Sequence, residues 1–199
     1  VALLPILLLW PSGHAFAAGG GGAWTDRATA LILFLPGASS EQLASVPSLS
    51  TGIMSGAQGT YTTAQLALDI TQGSRVSTSA YSPQHPPPLS LRARGAGALV
   101  SGWQAALRRA HGAPQVLEPG LLASQIPGGA GYAAIAGENY LDGISAADRG
   151  GRIAALSLGS EATLPARIAA LATRKQLVVA DLPAGARGLG DLRALSATR

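Results

Sequence analysis

The chain has no cysteine, a single lysine (Lys175), and aromatic side chains at only 5% of its positions. Without cysteine there is no disulfide framework, no thiol redox chemistry and no thiolate metal ligand, so the fold must hold by packing alone. Charged residues are also sparse, at 12%. The formal net charge of +4 is spread along the chain, with Arg108-Arg109 and Arg174-Lys175 as the only adjacent basic pairs. A nucleic-acid binder concentrates basic charge in a stripe with interleaved aromatics, so no nucleic-acid partner is expected. After residue 17 no apolar run approaches the roughly 20 residues that a membrane span requires.

The start of the chain is the opposite case. Ala2 to Trp10 is an apolar run broken only by Pro5, and Ala15-Phe16-Ala17 places small residues at alternate positions. That pattern predicts an export leader over residues 1–17, cleaved after Ala17. Residues 18–23 are then a flexible glycine-rich linker. Residues 24–199 form one domain, since the roughly 180 residues left after cleavage suit a single core. The expected location is extracytoplasmic, with any membrane attachment supplied by residues outside this chain.

The run Ala30-Leu31-Ile32-Leu33-Phe34-Leu35, closed by Pro36-Gly37, predicts a strand buried on both faces. Ser39 stands three residues before Gln42, the capping-box spacing, and predicts a helix through Leu43 and Val46. Residues 48–61 are rich in serine, threonine and glycine and predict an irregular loop. A short helix over Thr63 to Leu68, a turn at Gln72-Gly73 and an extended piece at 75–79 follow. Pro86-Pro87-Pro88 predicts an exposed, extended connection from Tyr81 to Leu91. From Gly97 to Ala110, Val100, Trp103 and Leu107 recur at helical spacing. Arg108, Arg109 and His111 stand where a helix C-terminus favours positive charge, and Gly112 is the stop.

A second short helix is predicted at Leu121 to Ile126, and strands at Tyr132 to Ala136 and Arg152 to Leu158. A helix at Glu161 to Ala172, a strand at Gln176 to Ala180 and a last helix carrying Leu189, Leu192 and Leu195 complete the chain. This alternation predicts an α/β fold, a mostly parallel sheet with helices on both faces, either complete or cut short at the C-terminus.

In an open parallel sheet, ligands bind beyond the carboxyl ends of the strands. Those positions hold Pro36-Gly37-Ala38-Ser39, Gly137-Glu138-Asn139 and Asp181. Gly37, Ser39 and Asn139 are the candidate ligand-binding residues. A turn opening a helix offers N–H groups to an anion, although an ordinary capped turn has the same sequence. Asp181 closes an apolar strand, where a carboxylate can bind metal or polarise water. Leu182-Pro183 follows it, so capping a loop is the competing role. His14 lies in the leader, His85 in the proline-rich connection and His111 at a helix end, which makes no short-spaced ligand pair. Gly52-Ile53-Met54-Ser55-Gly56 lacks the glycine two before the serine that a hydrolase elbow requires.

Five pieces, namely Leu31 to Leu43, Gly52 to Arg75, Ala133 to Asn139, Ala147 to Arg152 and Leu177 to Asp181, together resemble the amino-terminal part of the alkaline phosphatase-like superfamily, especially its divergent exported members. The resemblance implies a two-metal hydrolase ancestry. An aspartate just after the first strand would bind metal, and a serine or threonine at the start of a later helix would be the nucleophile. In this chain Pro36 stands where that aspartate is expected, and its side chain cannot bind a cation. Within Ala67 to Arg75 the reactive position falls on Asp69 rather than a hydroxyl, and Thr71 serves only if the register shifts by two. The later histidine and aspartate clusters of the family would lie past Arg199.

These departures predict a non-catalytic, degenerate phosphatase-like domain, a binding or scaffolding module outside the cell membrane with no cofactor and a membrane-associated partner. The alternative is a metal-dependent hydrolase of phosphate or sulfate esters. It would use a divalent metal held by an altered set of Asp69, Asp142, Asp148 and Asp181, with Asp69, Thr71 and Asp181 as catalytic candidates. It requires those carboxylates to converge. A third reading is a truncated domain without independent function.

Overall fold

The computed structural model describes residues 6–9, 29–47, 49–50, 62–74 and 76–197. The expected linker at 18–23, the expected loop at 52–56 and the rest of residues 1–17, expected to be a leader, lie outside the described residues. The strands are β1 (Ile6–Leu9), β2 (Ala30–Phe34), β3 (Ser90–Arg94), β4 (Gly97–Ser101), β5 (Gly131–Ile135), β6 (Arg152–Ile153), β7 (Ala155–Gly159) and β8 (Leu177–Asp181). The helices are α1 (Ser40–Ala44), α2 (Thr63–Gln72), α3 (Trp103–His111), α4 (Leu121–Ser124), α5 (Leu164–Ala172) and α6 (Ala186–Ala197).

A five-stranded sheet runs in the order β1-β2-β8-β5-β7. Its last four strands are parallel, and β1, from the segment expected to be a leader, pairs antiparallel with the outer edge of β2. The fold is therefore the expected α/β class. Side chains alternate between the two faces along each strand. Ile32, Phe34, Tyr132, Ala134, Leu177 and Val179 join one core with residues of α2, α3 and α4. Leu31, Leu33, Leu35, Ala133, Val178 and Ala180 join the other with residues of α1, α5 and α6. Both faces are thus covered, which is why β2 and β8 read as unbroken apolar runs.

Local chemistry sets the element ends. Ser39 and Gln42 complete the capping box of α1, with Gln42 N donating to Ser39 Oγ at 3.1 Å and Ser39 N donating to Gln42 Oε1 at 2.9 Å. Gly73 closes α2 in the left-handed conformation at φ 63°. Helix α5 is tied to the sheet through Arg167, whose Nη1 donates to Ala134 O at 3.1 Å and to Ser157 O at 2.6 Å, while Nη2 donates to Ser160 O at 3.1 Å.

The structure corrects several element expectations. The stretch expected to be one helix from Gly97 to Ala110 is β4 followed by α3, divided at Gly102, whose φ of 81° a helix interior does not allow. Val100 belongs to the strand, and its helical spacing to Trp103 is coincidental. Residues 90–94, expected to lie in or just after an exposed connection, form β3, which pairs with β4, and β4 pairs in turn with β6 in a second, antiparallel sheet. The strand expected over Arg152 to Leu158 is split between the two sheets at Ala154. The extended piece expected at 75–79 runs into a 3-10 turn at Thr78–Ala80.

Candidate functional site

Strands β5 and β8 are neighbours whose following segments leave toward opposite faces. The 3-10 segment Leu141–Ala146 after β5 adds Ile144 and Ala146 to one core, and α6 after β8 adds Leu189 and Leu192 to the other. The crevice beyond their carboxyl ends is a topological switch point, the position where open α/β sheets take ligands. Asp181 ends β8 there, and Tyr132 of β5 donates a short hydrogen bond from its hydroxyl to Asp181 Oδ2. Asp142 enters from the first turn of the 3-10 segment. Tyr140 packs edge-on against Tyr132 with ring centroids 6.4 Å apart, and its hydroxyl accepts from Gly137 N at 2.6 Å.

Burial dominates the electrostatics of this cluster. Loss of solvation raises Asp181 to about 8, the nearby carboxylates of Asp142 and Glu138 add to the rise, and the Tyr132 hydrogen bond opposes it. Burial alone raises Asp142 to about 6. Burial, followed by the Asp181 charge and the hydrogen bond to it, also pushes the Tyr132 hydroxyl upward, so it stays a donor. One oxygen on each acid, Asp181 Oδ1 and Asp142 Oδ1, is buried without a hydrogen-bond partner. Burial and mutual repulsion disfavour ionising both acids, so the pair holds on to a proton to higher pH than two solvated aspartates would. A divalent cation would have to displace that proton. Among the described residues no group of three or more histidine, aspartate and glutamate side chains is placed to hold a metal ion.

The tyrosine that organises the crevice depends on Gly143. A Cβ built there would stand 2.5–2.7 Å from Tyr132 ring atoms. Gly143→Ala is expected to displace the ring from Asp181 and to cost roughly 1–3 kcal/mol, as overpacking of a filled core does. Urea denaturation measures this, and a midpoint equal to that of the parent chain would contradict the packing described.

Asp69 lies elsewhere, in a polar knot on α2. Gln65 Nε2 donates to its Oδ1 at 2.7 Å and Gln72 Nε2 at 3.1 Å, each standing about one helical turn from Asp69, the natural reach of such pairs. The same two amides approach Tyr81 Oη at 3.4 and 3.2 Å. The Arg109 guanidinium lies 3.7 Å over the Tyr81 ring, and its Nε and Nη2 donate to Pro83 O and Gln84 O. Burial raises Asp69 to about 7 against the lowering pull of the Val76 backbone, Gln72, Arg109 and Tyr81. The knot joins α2, α3 and the 81–84 turn.

The remaining candidates are separate from both clusters. Thr71 is fully buried, and its hydroxyl donates to Leu68 O at 2.6 Å. Asp148 Oδ1 accepts from Gly150 N at 2.8 Å and Arg152 N at 2.9 Å, closing a turn. Ser39 is engaged in its capping box, Gly37 adopts φ 74° in an exposed turn, and Asn139 is exposed after β5. Of the four carboxylates considered for a metal, only Asp142 and Asp181 come together.

Sequence reasoning missed Tyr132, Gly143, Gln65, Gln72 and Tyr81. Tyr132 carried a signal: a phenol inside an otherwise apolar strand needs a buried partner, and the strand-ending Asp181 supplies one. A cavity of about 340 Å³ bordered by Leu107, His111, Glu118, Pro119 and Arg149 shares no residue with either cluster. Comparison of the chain with protein-family models, with curated proteins and with solved structures finds no match.

Proposed function

We propose that this chain is a non-catalytic binding or scaffolding domain of degenerate phosphatase-like type, working outside the cytoplasm. The observation that carries the reading is the state of Asp69, where the family resemblance places the nucleophile. Two glutamine amides hold it from within its own helix, and Tyr81 and Arg109 stand around it. Thr71, the register-shifted substitute, spends its hydroxyl on Leu68 O. A nucleophile for in-line transfer needs an open approach and a cation at the transferring group, and positioning alone does not lower the barrier enough.

Purified protein supplied with zinc, magnesium, manganese or calcium is expected to give no turnover of aryl phosphates or sulfates. The altered-metal hydrolase retains one favourable observation, the proximity of Asp142 and Asp181 at the switch point. Turnover that copurifies with the chain and is lost in Asp181→Ala would establish that reading instead.

Location outside the cytoplasm follows from the apolar run and the Ala15-Phe16-Ala17 site. Amino-terminal sequencing of exported material is expected to begin near Ala18. A soluble cytoplasmic product with residues 1–17 intact would remove that part of the proposal.

A further inference from the structure

Strand β2 has four main-chain groups that its parallel partner cannot reach. Ala30 N donates to Gln176 O, and Phe34 O accepts from Leu182 N, both at 2.8 Å, so the even-numbered residues of β2 turn their N–H and C=O toward β8. Leu31 and Leu33 therefore turn theirs outward. Both residues are at most 1% exposed, and each contributes its side chain to the core shared with α5 and α6. An outer edge of this kind, unpaired beside two buried faces, leaves polar groups with little access to water. Strand β1 meets that need, with Leu9 opposite Leu31 and Leu7 opposite Leu33. By the alternation of an antiparallel ladder, those two pairs are the hydrogen-bonded ones.

We infer that the outer edge of β2 is a strand-acceptor surface whose occupant is the chain's own Ile6–Leu9 segment, bound antiparallel through Leu7 and Leu9. The same residues form the core of the apolar run that reads as an export leader, so on that reading the segment serves the β2 edge only in a chain that keeps residues 1–17, and a mature chain beginning at Ala18 lacks this strand. Residues 10–29 join β1 to β2 and contain the glycine-rich stretch at 18–23. The recognised chemistry is an extended, uncharged apolar segment, as in other cases of strand addition.

Hydrogen exchange on the uncut chain tests the pairing independently of whether export occurs. The Leu31 and Leu33 amides are expected to exchange more slowly than unpaired amides by about tenfold or more. Leu7→Pro removes a ladder donor and should erase that protection, whereas Leu8→Pro removes an N–H that points away from β2 and should preserve it. Fast exchange at Leu31 and Leu33 in the parent chain, beside slow exchange at Ile32 and Phe34, would overturn the inference, and so would an equal response to the two prolines. In a chain nicked within residues 19–22, the N-terminal fragment is expected to coelute with the remainder. A departing fragment overturns the assignment, a remainder that then dimerises giving the edge to a second copy and a remainder that stays monomeric showing that the edge takes no strand.

Discussion

Leu33→Asp is expected to abolish soluble folding. Leu33 is 0% exposed at the centre of β2 and belongs to the core formed with Leu31, Leu35, Val178, Ala180 and residues of α5 and α6. An unpaired carboxyl there costs several kcal/mol in either protonation state. Domains of this size have total stabilities of about 5–15 kcal/mol. Soluble yield and far-ultraviolet circular dichroism read the outcome. Leu33→Met is the control and should lose under about 1.5 kcal/mol, because it conserves apolar volume. Unchanged melting of the aspartate variant would mean that β2 is wrongly placed.

Stability is expected to fall as pH rises from about 4 to 8, the reverse of what a paired surface carboxylate produces. Asp181 is raised from 3.8 to about 8 in the folded chain, so between those values the folded state keeps a proton that the unfolded state has released. The stabilisation is complete below the unfolded-state value and is lost as pH climbs through the folded one, at about 1.4 kcal/mol per pH unit within that window. Asp142, raised to about 6, and Asp69, raised to about 7, act in the same direction over narrower ranges. Asp181→Asn keeps an acceptor for Tyr132 and cannot ionise, so it should flatten the upper part of the profile. Melting temperatures at unit pH steps decide the matter. A profile with no downward slope in the parent chain, or the same slope in both proteins, would contradict the burial assigned to Asp181.

The parts of the fold that were legible in the sequence are those where one local rule was uncontested. The apolar run of β2 ends at Pro36-Gly37, the Ser39 and Gln42 spacing is a completed capping box, and Leu164, Ile168 and Leu171 all face the core from α5. The antiparallel β3–β4 hairpin was hidden for a physical reason. Strand β3 is largely exposed on both sides, so no apolar alternation marks it, and the glycines at 95 and 97 beside Val100 and Trp103 suit a short helix equally well. The division between Ile153 and Ala155 is a tertiary choice between two sheets and leaves no periodic trace.

Within the candidate site, Asp181 was legible because a charged residue closing an apolar strand stands out. Its partner was not, since Tyr132 is distant in sequence and becomes relevant only when β5 lies beside β8. Asp69 was singled out through resemblance alone. Its glutamine neighbours at 65 and 72 occupy the same side of α2, but helical spacing does not say whether such a side is wet or closed over by Tyr81 and Arg109.

Strand β7 lies at the end of its sheet and is intermediate in burial along most of its length, with Leu158 exposed at 37%. Apolar alternation therefore gives it little preference for one alignment against β5, and a slip by one residue would turn each side chain to the other face at small hydrophobic cost. Arg167 supplies the missing discrimination. Its one Nη1 group spans Ala134 O and Ser157 O on the two strands, while Nη2 holds Ser160 O just beyond the end of β7. These acceptors meet the fork of a guanidinium only when the strands are level, so the side chain acts as an alignment gauge, rewarding a single offset with several charge-assisted bonds at once. Lysine, with a point charge in place of the fork, could not measure that offset.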